Sequence, residues 1–176
     1  SQFTDYDGLA IETNEETTDH SAMMGLLEVL HDGDPAALSS VVHVDAFARY
    51  LAVNTVLVNL DSYSGNGHNY YLYEEDGVFT MIPWDFNEAF GNFTCGCDRT
   101  GILELMIDDP TCGPVSQKPI VDLLLASAQH RAVYHDHLEQ FIAGPFSVGV
   151  MTQRIQAAAD LIVMVVRAND VFRCPV

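Results

Sequence analysis

Basic residues are scarce in this chain of 176 residues. Lysine and arginine together number 7 against 25 aspartate and glutamate residues, which gives a formal net charge of −18 at pH 7. A surface with that excess of negative charge repels phosphate backbones and anionic membrane faces. Nucleic acid is therefore not expected as a partner. The surplus of acid is otherwise typical of a solvated surface and names no function by itself.

Long apolar runs are also missing. The best candidate, AAADLIVMVVRAND, is interrupted by Asp160 and Arg167, whereas a spanning helix needs roughly 18 to 20 predominantly apolar residues. The opening stretch SQFTDYDGLA has no cleavable signal-peptide pattern. We therefore expect a soluble chain without a transmembrane segment, whose targeting segment, if it is secreted, lies outside this sequence.

The cysteines lack a zinc-binding spacing. They are Cys95, Cys97, Cys112 and Cys174, and a Cys-x-Cys pair is too tight for the usual zinc knuckle. Two disulfides are the better interpretation, and all three connectivities remain open. Disulfides imply an oxidising compartment.

Apolar periodicity predicts one mostly helical domain with a core. A helix should begin near Ser21 and stop in the Asp-Gly-Asp turn at 32–34, and a second short helix should cover 34–42. A wide apolar face predicts a buried helix from Asp45 to near Leu60. Helical spacing resumes after Lys118 up to the Gly-Pro stop at 144–145, and a last helix should cover 147–167.

A β-hairpin is predicted at the centre of this helical chain. Residues 70–73 and 78–82 read as strands joined by a Glu-Glu-Asp-Gly turn. Asn69 stands at the hairpin entry and Asp85 at its exit, and antiparallel strands return the chain to the same end. Asp61 directly follows the predicted buried helix. A carboxylate at the C-terminal end of a helix opposes the helix dipole, so an Asp at this position needs an explanation other than helix stability. We expect the three side chains to converge.

Convergent carboxylate and amide oxygens suit a hard cation such as Mg²⁺ or Mn²⁺. In phosphoryl transfer, one Asp accepts the substrate proton while an Asn and a second Asp hold metal against the nucleotide phosphates. The spacing from Asp61 to Asp85 is 85 − 61 = 24 residues. Asn66 competes with Asn69 for the metal-side role, and Asp85 could also cap a helix through Phe90. His68 is more typical of a loop residue than of a ligand.

The run LAVNTVLVNLDSYSGNGHNYYLYEEDGVFTMIPWDFNEAFG resembles the CotH family, the spore-coat protein H kinases. The resemblance implies an α+β, mostly helical fold like the C-terminal lobe of a protein kinase. It implies a secreted or surface protein that transfers the γ-phosphate of ATP, with Mg²⁺ or Mn²⁺, to Ser or Thr of coat or other extracellular proteins. By position, the resemblance implies that Asp61 is the catalytic-loop Asp and that Asn69 and Asp85 bind the metal and cofactor.

Two departures from the kinase pattern stand out. A kinase needs an N-terminal lobe with a lysine on a strand, but Lys118, the one lysine here, lies downstream of both aspartates. The chain therefore resembles the C-terminal lobe alone, and this fragment should be inactive by itself. The segment from Cys95 to Cys112 stands where kinases place the segment that receives substrate. Two alternatives stay open: a non-catalytic surface, coat or adhesion protein, and a metal-dependent hydrolase.

Overall fold

The structure is a computed structural model that describes residues 10–169, with side-chain surroundings up to residue 165. The fold is α+β and mostly helical, as the sequence predicted. Its elements, in chain order, are α1 (Ser21–Asp32), α2 (Val44–Val56), β1 (Tyr70–Glu75), β2 (Val78–Pro83), α3 (Arg99–Leu103), α4 (Pro119–Ala126), α5 (Ala128–Ala143) and α6 (Val148–Asn169). The chain divides into two compact units between Leu138 and Glu139.

The first helix matches its prediction, and the second does not. α1 ends where Gly33 takes a left-handed φ of 72° and donates its N–H to Val29, a common way for a glycine to end a helix. The predicted α-helix over 34–42 is instead a 3₁₀ turn, Leu38–Ser40. Asp34 accepts the N–H of Ala36 through its side chain, and this local bond favours a turn over a regular helix.

α2 is buried as predicted, but it ends at Val56 rather than near Leu60. Val58 has a left-handed φ of 47°, which a β-branched residue adopts only when its surroundings require it. Asp61 therefore lies 61 − 56 = 5 residues beyond the last residue of α2. Asp61 is therefore not at the C-terminus of this helix, and the predicted opposition between its carboxylate and the helix dipole is wrong.

The hairpin forms as predicted, with longer strands. β1 and β2 are antiparallel, with Tyr70 opposite Pro83 and Glu75 opposite Val78. Asp76 and Gly77 form the connecting turn with φ values of 52° and 82°, as the tightest hairpin turns require. β2 also exchanges main-chain hydrogen bonds at Phe79 with Val41 and His43, 2.8 and 2.9 Å long, which fixes the hairpin to the start of α2.

The core of the first unit lies among α2, β2, α4 and α5. Its most deeply buried large side chains include Phe47, Leu51, Val121, Leu124 and Tyr134. α4 and α5 are separate helices because Ser127 has an extended backbone between them. Of these helices, α2 packs against β2, and α4 packs against α2.

α6 lies in the second unit and covers Val148–Asn169, which confirms the helix predicted over 147–167. The window Val148–Val165 is long and apolar enough to cross a membrane, and none of it is buried. Helices of soluble proteins meet the same criterion, so the finding does not by itself establish a membrane span.

Candidate functional site

A ladder of buried asparagine and serine side chains shapes the chain between α2 and β1. Asn54 donates its amide to Tyr50 O at 2.9 Å, and Asn59 donates to Asn54 Oδ1 at 2.8 Å. Ser62 then donates its hydroxyl to Asn59 O at 2.8 Å. These bonds satisfy most of the buried polar groups here, although Asn59 Oδ1 has no hydrogen-bond partner among the described residues, and they fix the path of the loop that follows α2.

Asp61 is the single residue of 59–65 that is not fully buried. Its side chain is 19% exposed, while Leu60 and Ser62 on either side are almost inaccessible to solvent. The buried neighbours hold the main chain, and only the carboxylate reaches the surface. A carboxylate on a rigid support is suited to act on a bound molecule.

Both carboxylate oxygens of Asp61 accept hydrogen bonds from side-chain amides. Asn66 Nδ2 donates to Oδ1 at 2.9 Å, and Asn69 Nδ2 donates to Oδ2 at 2.8 Å. Asn69 also donates to the main-chain oxygen of Asp61 at 3.0 Å. The predicted convergence of Asp61 and Asn69 is therefore present, and Asn66 belongs to the same cluster.

His68 stands beside this cluster without joining it. Its Nδ1 is 4.0 Å from Asp61 Oδ1, and its side chain is 70% exposed. That distance is too long for a hydrogen bond. His68 is thus a loop residue at the rim of the site, as its sequence context indicated.

Asp85 follows the second strand at the same end of the hairpin. Trp84 donates its N–H to Asn69 O at 3.0 Å, so one more antiparallel bond joins the hairpin entry to its exit. Asp85 is exposed, has a left-handed φ of 46°, and accepts the N–H of Asn87 at 3.1 Å. Turns rather than a helix follow it. The predicted helix cap at Asp85 is therefore wrong, because the side chain closes a local turn instead.

The segment after Asp85 returns to the end of α2. Gly91 donates its N–H to Val58 O at 3.0 Å. Cys95 and Cys112 form a disulfide, and their sulfurs lie 4.0 and 3.9 Å from Leu60 O. The disulfide therefore packs against the residue that precedes Asp61. Of the predicted two disulfides this one is confirmed; Cys97 is exposed, and Cys174 lies outside the described residues.

The segment that enters α4 also contacts the Asp61 loop. Ile120 donates its N–H to the Tyr63 hydroxyl at 3.3 Å, and burial raises the pKa of that hydroxyl. A Cβ built on Gly67 would lie 3.3 Å from Lys118 Nζ. Sequence reasoning set Lys118 aside because it has the wrong position for a lysine of an N-terminal lobe. Lysine occurs once in this strongly acidic chain, and that rarity is the sequence signal that points to Lys118.

The oxygen donors at this end of the hairpin fit a hard cation held partly by substrate. Mg²⁺ usually keeps waters and binds one or two carboxylates together with substrate phosphates. Asn66 Oδ1 is buried and has no hydrogen-bond partner among the described residues, and Asp85 is exposed. Within the same part of the chain, no three His, Cys, Asp or Glu side chains cluster closely enough to hold a metal alone. A cation here would therefore complete its coordination with waters or phosphate oxygens.

The site thus combines a buried helix, a loop that presents one Asp between two Asn amides, and a hairpin that returns a second Asp. The chain belongs to the CotH family, because the family model described as CotH kinase protein matches residues 2–171. Inner spore coat protein H of Bacillus subtilis (strain 168) is 28% identical over 123 residues, 69% of this chain and 31% of that protein. The chain thus spans about a third of that relative's length. No solved structure matches it significantly.

Proposed function

We propose that this chain is the C-terminal-lobe portion of a metal-dependent protein kinase that transfers the γ-phosphate of ATP to a Ser or Thr hydroxyl. The observation that supports this most strongly is the Asp61 carboxylate, held at 2.8 and 2.9 Å by two asparagine amides on a buried loop. Family membership supports the same reaction. The kinase-like lobe and the cofactors ATP and Mg²⁺ or Mn²⁺ are part of this proposal.

Asp61 is the general base in this proposal. The acceptor oxygen attacks the γ-phosphorus, the bond from that phosphorus to the β–γ bridging oxygen breaks, and ADP leaves with the bonding electrons. The hydroxyl proton passes to an oxygen of Asp61 and then to solvent. The Asn66 and Asn69 amides keep the carboxylate in place, so little reorganisation accompanies the transfer.

Asn69 and Asp85 would hold the cation, with Asn66 as the competing amide. A bound Mg²⁺ or Mn²⁺ supplies positive charge against the phosphate oxygens. Asp85 has one oxygen engaged by the Asn87 N–H and keeps its other oxygen available. The left-handed backbone at Asn69 and Asp85 is the kind of local conformation that recurs at functional sites.

The proposed acceptor is a protein of a spore coat or another extracellular surface. The relative named above is an inner spore coat protein, and the disulfide between Cys95 and Cys112 suits a protein that works in an oxidising compartment. The acidic surface makes nucleic acid an unsuitable partner. Coat assembly partners would bind the same chain.

The test is transfer of radiolabelled γ-phosphate from ATP by the complete protein, incubated with an extract of coat proteins and Mn²⁺. Asp61→Asn keeps the shape of the side chain and removes the base, so the rate should fall by about 10² or more. Asp45→Asn, the same chemical change at an exposed site on α2, is the control and should keep the rate.

Two results would favour the other interpretations. Release of inorganic phosphate from ATP at the same rate with and without acceptor protein would indicate a hydrolase. Equal labelling by wild type and Asp61→Asn would remove Asp61 from the chemistry and favour a coat protein that works by assembly alone.

A further inference from the structure

Lys118 is the single lysine of the chain and contacts the Asp61 loop. A Cβ at Gly67 would lie 3.3 Å from its Nζ atom, and Gly67 is the residue between Asn66 and His68. Gly67 itself has a φ of 85° and donates its N–H to Ser62 O. The ammonium group therefore lies against the loop that carries the proposed base.

The Lys118 ammonium group has no acidic partner nearby. The side chain is half-buried, yet within residues 10–165 no carboxylate oxygen lies within 4.0 Å of Nζ. Asp and Glu outnumber the basic residues 25 to 7 in this sequence. The Lys118 ammonium group is therefore available to bind an anionic molecule beside the Asp61 loop.

Helix formation does not explain the position of Lys118 either. The residue is the N-cap of α4 and makes no side-chain capping bond. A cation at a helix N-terminus opposes the helix dipole, so a purely structural role would favour Ser, Asp or Asn here. An anion bound at this point would instead meet both the ammonium group and the favourable end of the dipole.

The surrounding contacts fix the lysine relative to the site. Residues 115–117 form a 3₁₀ turn just before it, and the next residue but one, Ile120, is bonded to Tyr63 in the Asp61 loop. Upstream, Cys112 is joined to Cys95 and packs against Leu60 O. The segment 112–120 is therefore attached to the loop at both of its ends, which restricts the position of Lys118 between them.

We propose that Lys118 is a phosphate-binding residue that neutralises the γ-phosphoryl group during its transfer from ATP to the acceptor hydroxyl. This inference rests on the proposed function. Negative charge on the γ-phosphate would otherwise face a strongly acidic protein, and a fixed ammonium group offsets that repulsion. No covalent bond to the lysine forms or breaks, and its role is electrostatic.

The first experiment observes the Lys118 side chain directly. Reductive methylation with ¹³C-formaldehyde of the complete protein labels its lysines and its N-terminal amine and keeps their positive charge, and the Lys118 methyl resonance is the one that is absent from the Lys118→Arg variant. The Lys118 methyl resonance should shift when Mg²⁺ and ATP are added and should shift much less with Mg²⁺ and ADP. Equal shifts with both nucleotides, or none with ATP, would contradict a contact with the γ-phosphate.

The second experiment compares nucleotide affinities by titration calorimetry with Mn²⁺. In the complete protein, Lys118→Met should weaken ATP binding tenfold or more and leave ADP binding unchanged. Lys118→Arg, which keeps the charge, should restore most of the ATP affinity. Arg154→Met removes one positive charge from an exposed position on α6 and should change neither affinity.

The outcomes separate the inference from the function on which it rests. If wild type prefers ATP over ADP and Lys118→Met keeps that preference, the role of Lys118 is wrong and the kinase proposal stands. If wild type binds neither nucleotide, both proposals fall. If wild type binds both nucleotides equally, the protein makes no contact with the γ-phosphate and Lys118 is not its ligand. Thermal unfolding of each variant verifies that it is folded.

Discussion

The Asn69 amide donates to both the carboxylate and the main-chain oxygen of Asp61, at 2.8 and 3.0 Å. One side chain thus holds the carboxylate and the backbone of the same residue. Asn69 has a φ of 55°, a left-handed conformation that asparagine tolerates better than most residues. The start of the hairpin is thereby locked to the loop that precedes it.

Asn69→Asp should destabilise the protein by roughly 1 to 3 kcal/mol at neutral pH, because a second carboxylate would replace the amide donor to Asp61. Two facing carboxylates repel each other unless one takes up a proton. The loss should therefore shrink as the pH falls toward about 4, where the folded variant binds the extra proton. Urea unfolding at a series of pH values measures this loss of stability. Asn69→Ala is the control, because it adds no carboxylate and its loss of stability should not become smaller as the pH falls.

Gly65→Ala should be among the most damaging small substitutions in the chain. A Cβ there would lie 1.8 Å from Leu60 O, so the loop would have to move, at a cost of about 3 kcal/mol or more. Gly25→Ala is the matched control, because it lies within α1 with nothing within 4 Å of the added carbon. That change should stabilise the protein by about 0.5 to 1 kcal/mol. Free energies of unfolding in urea compare the two, and similar values would contradict the packing described here.

Removal of the disulfide should destabilise the first unit and loosen the Asp61 loop. The bond closes a segment of 17 residues, for which the loss is roughly 3 kcal/mol. Urea unfolding of the double variant Cys95→Ser, Cys112→Ser should show this loss of stability. Hydrogen exchange of the Asp61 amide should also be faster in that variant. Cys97→Ser is the control and should leave both quantities unchanged. An unaltered exchange rate in the double variant would mean that the disulfide does not support the loop.

Alkaline pH should unfold the protein through its buried tyrosines. Burial raises the pKa of Tyr50 and of Tyr134 to about 12, against roughly 10 in an unfolded chain. A raised pKa in the folded state gives stability that is complete below about pH 10 and is lost as the pH rises toward 12. Urea unfolding with tyrosinate absorbance follows the loss. Tyr50→Phe should weaken the dependence of the free energy of unfolding on pH above about 10. Tyr73→Phe, at an exposed position, should leave that dependence unchanged.

The sequence predicted the parts of the fold that depend on local pattern. α1 and the hairpin follow from apolar spacing and from the turn residues Asp76 and Gly77, and both are confirmed. The return of antiparallel strands predicted that Asn69 and Asp85 lie at the same end of the hairpin, and the main-chain bond from Trp84 to Asn69 closes that end. Membership of the CotH family followed from the motifs around these residues and is confirmed.

Features that depend on contacts between distant segments were not predictable in this way. The early end of α2 depends on main-chain bonds from Phe90 and Gly91 to Leu57 and Val58, which apolar periodicity does not reveal. Lys118 lies next to Gly67 because Ile120, at the start of α4, is bonded to Tyr63 in the same loop, and the two segments are far apart in sequence. The sequence did not distinguish a helix cap from a local turn at Asp85. An Asp side chain can accept an N–H at the start of a helix or an N–H within a turn.

The most direct test of the central claim is a calorimetric titration of ATP with Mn²⁺ into the complete protein, wild type beside Asp85→Ala. The account predicts binding by wild type that requires the metal and is lost in Asp85→Ala, with both proteins folded. Binding that persists without Mn²⁺ or with Asp85→Ala would place the nucleotide elsewhere. Folded wild-type protein that binds no ATP would contradict the assignment of a kinase site to this hairpin.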